Sequence, residues 1–410
     1  MDDNLFGDPG TSQDDLMPEA PDVPIGDTGH AGNVQISTPR DNPCLIGHDT
    51  IIDQLLDWHD RNALPHALIF TGPRGIGKAT AAYALARTLL KDNEAKSGGD
   101  DATDSLFGGE DVTAAETVSA KNHDLLMDST DPVFRKVAAQ SHPDCLDIAR
   151  GYDEKKQKPK TALDVHQVRH VQDFLHMRAS VSGGRKIAII DEGETMNRNA
   201  QNALLKVLEE PPGNTLLIII ADQLGALLPT IRSRVRVMHF TPLQDGDMQT
   251  LLRANCASLS EDELHMIVEI AEGAVGPALE LAGEEGRTIM RQTVDCLKDW
   301  PDISWPDIYK LSAYLNAQKD SEARLRIFGY IMTWFIQHIL RIKTRNISPI
   351  SELDTTDFQN ALARTHLDQV LQICDNLKSH FDSAYQAHLD KHYIVEGAFA
   401  TLINHKREAA

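Results

Sequence analysis

Five short apolar runs punctuate the first 240 residues: 67–71, 145–149, 186–191, 216–221 and 235–240. Each is strand length. Several are nearly continuous in Ile, Leu and Val, the pattern of strands covered on both faces. Between them the spacing turns helical. Ile52, Leu55, Leu56 and His59 fall on one helical face, and 79–90 forms another helical run. Strands alternating with helices predict a parallel α/β sheet. After Pro242 the pattern is wholly helical. The stretch 244–281 fits a small bundle, and longer helices follow from about Trp305. Leu325, Phe328, Met332, Phe335, Ile336, Ile339 and Leu340 share one face. Leu367, Val370, Leu371, Cys374, Leu377 and Phe381 share another. Helix packing is the first reading of both stripes, and an oligomerisation face is the sharper one.

Two segments break this alternation. Residues 1–42 are rich in Asp, Pro and Gly, lack apolar period and carry a charge of about −8. Residues 91–130 are polar, contain Gly and carry about −7. Both read as disordered, the first as an acidic tail and the second as an insertion in the α/β unit. They account for most of the net charge of −21, so the remainder is only mildly acidic and does not repel nucleic acid as a whole. A length of 410 residues suggests two to three domains. The expected division is 1–42, 43–243, 244–300 and 301–410. The five cysteines, Cys44, Cys145, Cys256, Cys296 and Cys374, form no C-x-x-C pair and read as buried thiols, without zinc or disulfide. The N-terminus begins with acids where a secretory signal needs bases, and no run is long enough to span a bilayer. A cytoplasmic protein with no membrane partner is expected.

The strongest chemical signal is Gly72-Pro73-Arg74-Gly75-Ile76-Gly77-Lys78, between a predicted strand and a predicted helix. Glycines let backbone N–H groups converge on a phosphate, the helix N-terminus adds partial positive charge, and Lys78 adds a full one. The next residue should carry a hydroxyl for Mg²⁺ but is Ala79. Thr80 lies about 100° further round the helix, so its hydroxyl should turn away from the metal. Phosphate binding is expected to survive better than hydrolysis. The run Lys186-Ile-Ala-Ile-Ile-Asp191-Glu192 has the Walker B pattern, in which Asp holds the metal and Glu orients water. Alone it is weak, since many buried strands end in acids. The run 197–212 is an amphipathic helix with Asn197 as N-cap, Ala200, Ala203, Leu204, Val207 and Leu208 on its apolar face, and Pro211 and Pro212 as its stop. Arg232 and Arg234 precede the last strand. They read either as solvated charges or as donors to a neighbour's γ-phosphate.

The stretches LPHALIFTGPRGIGK, KIAIIDEGETMNRNAQNALLKVLEEPPGNTLLIIIA and LLPTIRSRV resemble the clamp-loader AAA+ family, nearest its delta-prime branch. The likeness is strong over about 41–243 and weaker in AYQAHLDKHYIVEGAFATL near the end. It implies a P-loop AAA+ domain over 43–243, a small helical lid over 244–300 and a helical collar over 301–410. It further implies a hetero-pentameric ring with gamma/tau and delta subunits, acting with a sliding clamp and primer–template DNA. ATP is the implied nucleotide, held by Gly72, Arg74, Gly75, Gly77, Lys78, Thr80 and Asp191. Glu192 and Arg234 are the implied catalytic residues, Arg234 reaching in trans into a neighbour's site. No metal-ligand set is assigned. Three features depart from the family. The four-cysteine zinc module is missing. The lid reads Gly273-Ala-Val-Gly276-Pro277, without the nucleotide-sensing arginine, and Ala79 lacks the metal hydroxyl. All three weaken ATP or metal chemistry and none touches Arg234, so a stator with weak or absent ATPase is favoured over a gamma/tau-type motor. A P-loop nucleotide kinase is a third reading, and it leaves the long helical region unexplained.

Overall fold

The computed structural model describes residues 38–97, 125, 127–153, 158–159, 162–256, 258–317, 321–345, 348–387 and 390–403. The expected acidic tail to residue 37, and most of the expected insertion, lie outside the described residues. In chain order the elements of the first half are α1 (Asp49–Asp60), β1 (Ala67–Thr71), α2 (Lys78–Ser97), α3 (Pro132–Ala138), β2 (Cys145–Ile148), β3 (Tyr152–Asp153), β4 (Lys158–Pro159), α4 (Val165–His176), β5 (Lys186–Ile190), α5 (Arg198–Glu209), β6 (Thr215–Ala221), α6 (Pro229–Arg232) and β7 (Arg236–His239). The second half holds α7 (Asp245–Asn255), α8 (Glu261–Ala271), α9 (Val275–Ala282), α10 (Glu284–Leu297), α11 (Trp305–Asn316), α12 (Ser321–Arg345), α13 (Thr356–Arg364), α14 (Leu367–Ala387) and α15 (Lys391–Ile403). The five apolar runs are all strands, with ends within a residue of the sequence reading. The antiparallel pair β3–β4 has two residues per strand, too few for periodicity to register.

The five longer strands form one parallel sheet in the order β2-β5-β6-β1-β7. Alternation along each strand assigns side chains to its two faces. Leu68, Phe70, Ile187, Ile189, Leu216, Ile218 and Ile220 meet the helices α1, α2 and α3. Ala67, Ile69, Ala188, Ile190, Leu217 and Ile219 meet α4 and α5 on the other side. Both faces are therefore dry, which is why these strands read as unbroken apolar runs. The result is the expected P-loop α/β class, a three-layer sandwich followed by helices.

A single apolar cluster runs through the helical half from Leu243 to Leu402. Trp300 sits at the centre of it, 2% exposed, against Phe335 and Phe358, with its indole N–H donating to the Leu402 carbonyl at 3.3 Å. The stripe expected on α12 is buried, Leu340 only partly. The stripe expected on α14 is corrected. Its buried positions are Val370, Ile373, Leu377, Phe381 and Ala384, while Leu367 and Leu371 are 42% and 44% exposed. The two exposed leucines lie at the start of α14, off the side that packs on α12 and α15. Cys44 is likewise exposed and Cys145 and Cys374 are half-buried, against the expectation that all five thiols are buried; only Cys256 and Cys296 are.

A strap at residues 38–42, inside the segment that composition assigns to the tail, is anchored to the α/β unit. The fully buried Arg87 donates to the backbone carbonyls of Arg40 at 2.9 Å and Asn42 at 2.8 Å, and its guanidinium lies 4.6 Å from the Phe134 ring centroid. Arg40 in turn pairs with Asp147, which also accepts from the Tyr83 hydroxyl at 2.9 Å. Replacing Arg87 by Met keeps an apolar stem and removes two charge-assisted bonds. Arg87→Met is expected to lower stability by about 2 kcal/mol in urea unfolding and to speed tryptic cleavage at Arg40. An unchanged midpoint with unchanged cleavage would mean that other contacts hold the strap.

Candidate nucleotide-binding site

In an open parallel sheet, ligands gather at the carboxyl ends of the strands. Here the carboxyl ends of β1, β2, β5 and β6 surround a cavity of about 500 Å³. The loop 72–77 leaves β1 and delivers Lys78 at the start of α2. Gly72 has φ 146°, and a Cβ there would stand 2.3 Å from the Phe240 carbonyl oxygen, so β1 and the chain after β7 approach as closely as they do only because residue 72 is glycine. Gly75 and Gly77 also have positive φ, 81° and 98°. The turn they make aims the first-turn N–H groups of α2, which have no intrahelical partners, at the cavity.

The structure brings together Arg74, Gly75, Gly77, Lys78, Thr80, Asp191 and Glu192 around this cavity. Gly72 lies beneath it and accepts from Lys78. Thr80 lines the cavity beside Ala79, although helical rotation sets it off the metal position. Residues that sequence reasoning did not single out complete the wall: Arg150 after β2, Glu194 after β5, Asp222 after β6, Pro39 and Asn42 from the strap, and Val275, Gly276 and Leu279 from α9. Arg150 and Asp222 each closely follow a strand of the parallel sheet, but the sequence does not say which strands are neighbours, so neither residue stood out.

Two ion pairs, Lys78–Asp222 and Arg150–Glu192, tie charges of this cavity to one another. The Lys78 ammonium is 4% exposed and donates to the carbonyls of Gly72 (2.8 Å) and Pro73 (2.6 Å) and to Asp222 Oδ1 (2.7 Å). Arg150 grips both carboxylate oxygens of Glu192. Glu192 has left-handed backbone, φ 51°, costly for a residue with a Cβ. That conformation is held by the arginine and by Thr195, whose N–H and hydroxyl both donate to the Glu192 carbonyl, at 2.9 and 2.8 Å. Glu194 accepts from the Asp222 N–H at 3.2 Å. Burial pushes the Asp191 carboxyl up to about 6. The Glu192 N–H, donating to Asp191 at 2.8 Å, opposes the shift, while the charges of Glu192, Glu194 and Asp222 add to it.

One side of the cavity is closed by the start of α9. The Gly276 N–H donates to the Gly75 carbonyl at 3.0 Å, and a Cβ on Gly75 would stand 2.8 Å from Pro277 Cδ. Among the described residues, no group of three or more His, Cys, Asp or Glu side chains is arranged to hold a metal ion. The loop amides, Lys78 and Arg74 suit a phosphate. Asp191 suits a phosphate-bound divalent cation, without the hydroxyl that Ala79 lacks. Arg234 is not among the residues lining this cavity. It is 39% exposed on the loop between α6 and β7, donates to the Thr230 carbonyl at 3.1 Å and pairs with Glu209 at 3.0 Å. Arg232 is also exposed. The HPD triplet at 142–144 serves the scaffold. The Asp144 carboxylate accepts from the Ser180 N–H, and the Asp144 N–H donates to His142 Nδ1.

Residues 110–244 match the family model described as DNA polymerase III, delta subunit. The DNA polymerase III subunit delta′ of Pseudomonas aeruginosa is 34% identical over 57% of this chain and 60% of its own length. The corresponding protein of Escherichia coli is 31% identical over 46% of this chain and 53% of its own length. Over this region the chain is similar to clamp-loader-family proteins. A replication factor C small subunit from Methanococcus maripaludis is 23% identical over 72% of this chain and 78% of its own length. The match therefore spans little more than half the length of the two bacterial relatives. The family match begins after the loop at 72–78 and includes Asp191, Glu192, Asp222 and Arg234. No helix among the described residues is long and apolar enough to cross a membrane.

The raised Asp191 carboxyl gives the protein a pH signature. The folded state holds the proton up to about pH 6, whereas the ordinary value is 3.8. Ionising Asp191 therefore costs stability that is lost as pH rises from about 4 through 6, and the full penalty remains above that window. Asp191→Asn is expected to raise the melting temperature at pH 7.5, by the equivalent of about 2–3 kcal/mol at most, and to raise it much less at pH 4.5, where the unfolded carboxyl has only begun to ionise. Equal shifts at both pH values would show that the carboxyl is not strained by burial.

Proposed function

We propose that the chain is a delta-prime-type subunit of a DNA polymerase III clamp loader. In this reading it acts as the stator of the ring and donates Arg234 to the nucleotide site of the adjacent subunit, while its own site contributes little hydrolysis. Gamma/tau-type and delta-type subunits are its ring partners, and the assembly loads a sliding clamp onto primed DNA in the cytoplasm. One contrast carries the reading. The two paired cations of the chain's own site, Lys78 and Arg150, are held by Asp222 and Glu192, whereas Arg234 stands at the surface outside that cavity, paired with the exposed Glu209. A guanidinium is always charged and presents a planar fork of donors, which suits a γ-phosphate supplied from outside. The 31% and 34% identity to delta′ subunits supports the same assignment. An intact Lys78 and Asp191 favour a second reading, a gamma/tau-type motor, and turnover separates the two.

The purified chain is expected to hydrolyse ATP at background level. Turnover typical of an AAA+ motor and abolished by Lys78→Ala would favour the motor. In a loader rebuilt with its partner subunits, Arg234→Ala should leave assembly intact but lower clamp- and DNA-stimulated ATPase and loading by about tenfold. That is less than the ~10³–10⁵ seen for arginines supplied in trans to GTPases, because other sites in the ring keep their own. Arg232→Ala should do less. Full activity in an Arg234→Ala loader of verified composition would leave that arginine a surface residue.

A further inference from the structure

The ion pair across the cavity has a chemical meaning of its own. An ammonium has three protons to donate, and all three of Lys78 are committed: to two backbone carbonyls of its own loop and to Asp222. A loop lysine serves a nucleotide by donating to phosphate oxygens. The Asp222 carboxylate already offers that lysine an anionic oxygen at 2.7 Å. Asp222 itself is 32% exposed and lines the open cavity, so an incoming phosphate meets the pair from the cavity side.

We propose that Asp222 is an internal competitor for phosphate, holding Lys78 so that nucleotide binds weakly to this chain's own loop. The proposal rests on the reading of a quiet nucleotide site given above, and names the residue that makes it quiet. Two effects act together. A phosphate must replace the carboxylate on Lys78, and replacing it leaves Asp222 without its buried cation. Asp222 then adds to the charges of Asp191, Glu192 and Glu194 around the phosphate, while Arg150 stays committed to Glu192. The competition does not depend on the hydroxyl missing at Ala79, which bears on metal placement. Relieving it should therefore restore binding and leave hydrolysis at background.

A double-mutant cycle on the full chain tests this, with MgATP binding measured by calorimetry and folding checked by thermal unfolding. Asp222→Asn keeps size and removes charge. It is expected to bind MgATP about tenfold more tightly than the parent, a difference of about 1.4 kcal/mol, with no gain in turnover. Against a Lys78→Ala background the same substitution should give a clearly smaller gain, since there is no lysine to release and only the repulsion between Asp222 and the phosphate is relieved. Equal affinity of Asp222→Asn and the parent overturns the proposal. So does an equal gain in the Lys78→Ala background, which would make Asp222 a source of repulsion and not a competitor. If Asp222→Asn does not fold, Asp222→Ser carries the same comparison. Tight binding with motor-like turnover in the parent overturns the proposed function as well, whereas a weak parent with a weak Asp222→Asn overturns this inference alone.

Discussion

The insertion of β6 between β1 and β5 governs the carboxyl edge of the sheet. It places one intervening strand between the phosphate-type loop and the acidic pair Asp191-Glu192, and that strand is followed directly by Asp222. A lysine reaching back from α2 therefore meets Asp222 before it meets the acids of β5. The ion pair Lys78–Asp222 follows from strand order, and the neutralisation of the cavity follows from the ion pair. On its far side, the Arg150–Glu192 pair removes the second acid from solution in the same way.

The cavity is also where distant parts of the chain meet. The strap at 38–42 forms one wall and is tied down by Arg87. The start of α9 forms another and is tied to Gly75 by a backbone hydrogen bond. Since α9 shares its apolar core with α12 and the later helices, the loop at 72–77 is in mechanical contact with the helical half. A loop so braced, with its lysine already coordinated, resembles a preorganised structural joint more than a site waiting for ligand.

The outer edge of the sheet is built differently. Arg234 is held by the Thr230 carbonyl, the Ser233 hydroxyl and Glu209, which is 51% exposed, and solvent screens a pair of that kind. Such a side chain is easily redirected to a stronger anion. One edge of the α/β unit thus holds Lys78 and Arg150 in partly buried ion pairs, and another presents a charge on the surface. Both belong to one sheet, and each is set by its own loop.

Much of this was legible in the sequence because it depends on local order. Strands covered on both faces must be apolar at every position, so 67–71, 186–191 and 216–221 announced themselves. The glycines at 72, 75 and 77 were legible because their backbone demands leave few alternatives, and Asn197 because an N-cap acts on its own helix, accepting from the Ala200 N–H at 2.9 Å. The start of α14 misled because periodicity reports which residues share a face but not where a partner helix covers it. Asp222 and Arg150 were silent for a related reason. Each is one polar residue after a strand, and its meaning comes from which strand lies next to which. Lys78 and Asp222 are 144 positions apart. Only the parallel order β2-β5-β6-β1-β7 puts them within a hydrogen bond of one another, because pairing between strands is settled by packing across the whole sheet and not by any local run of residues.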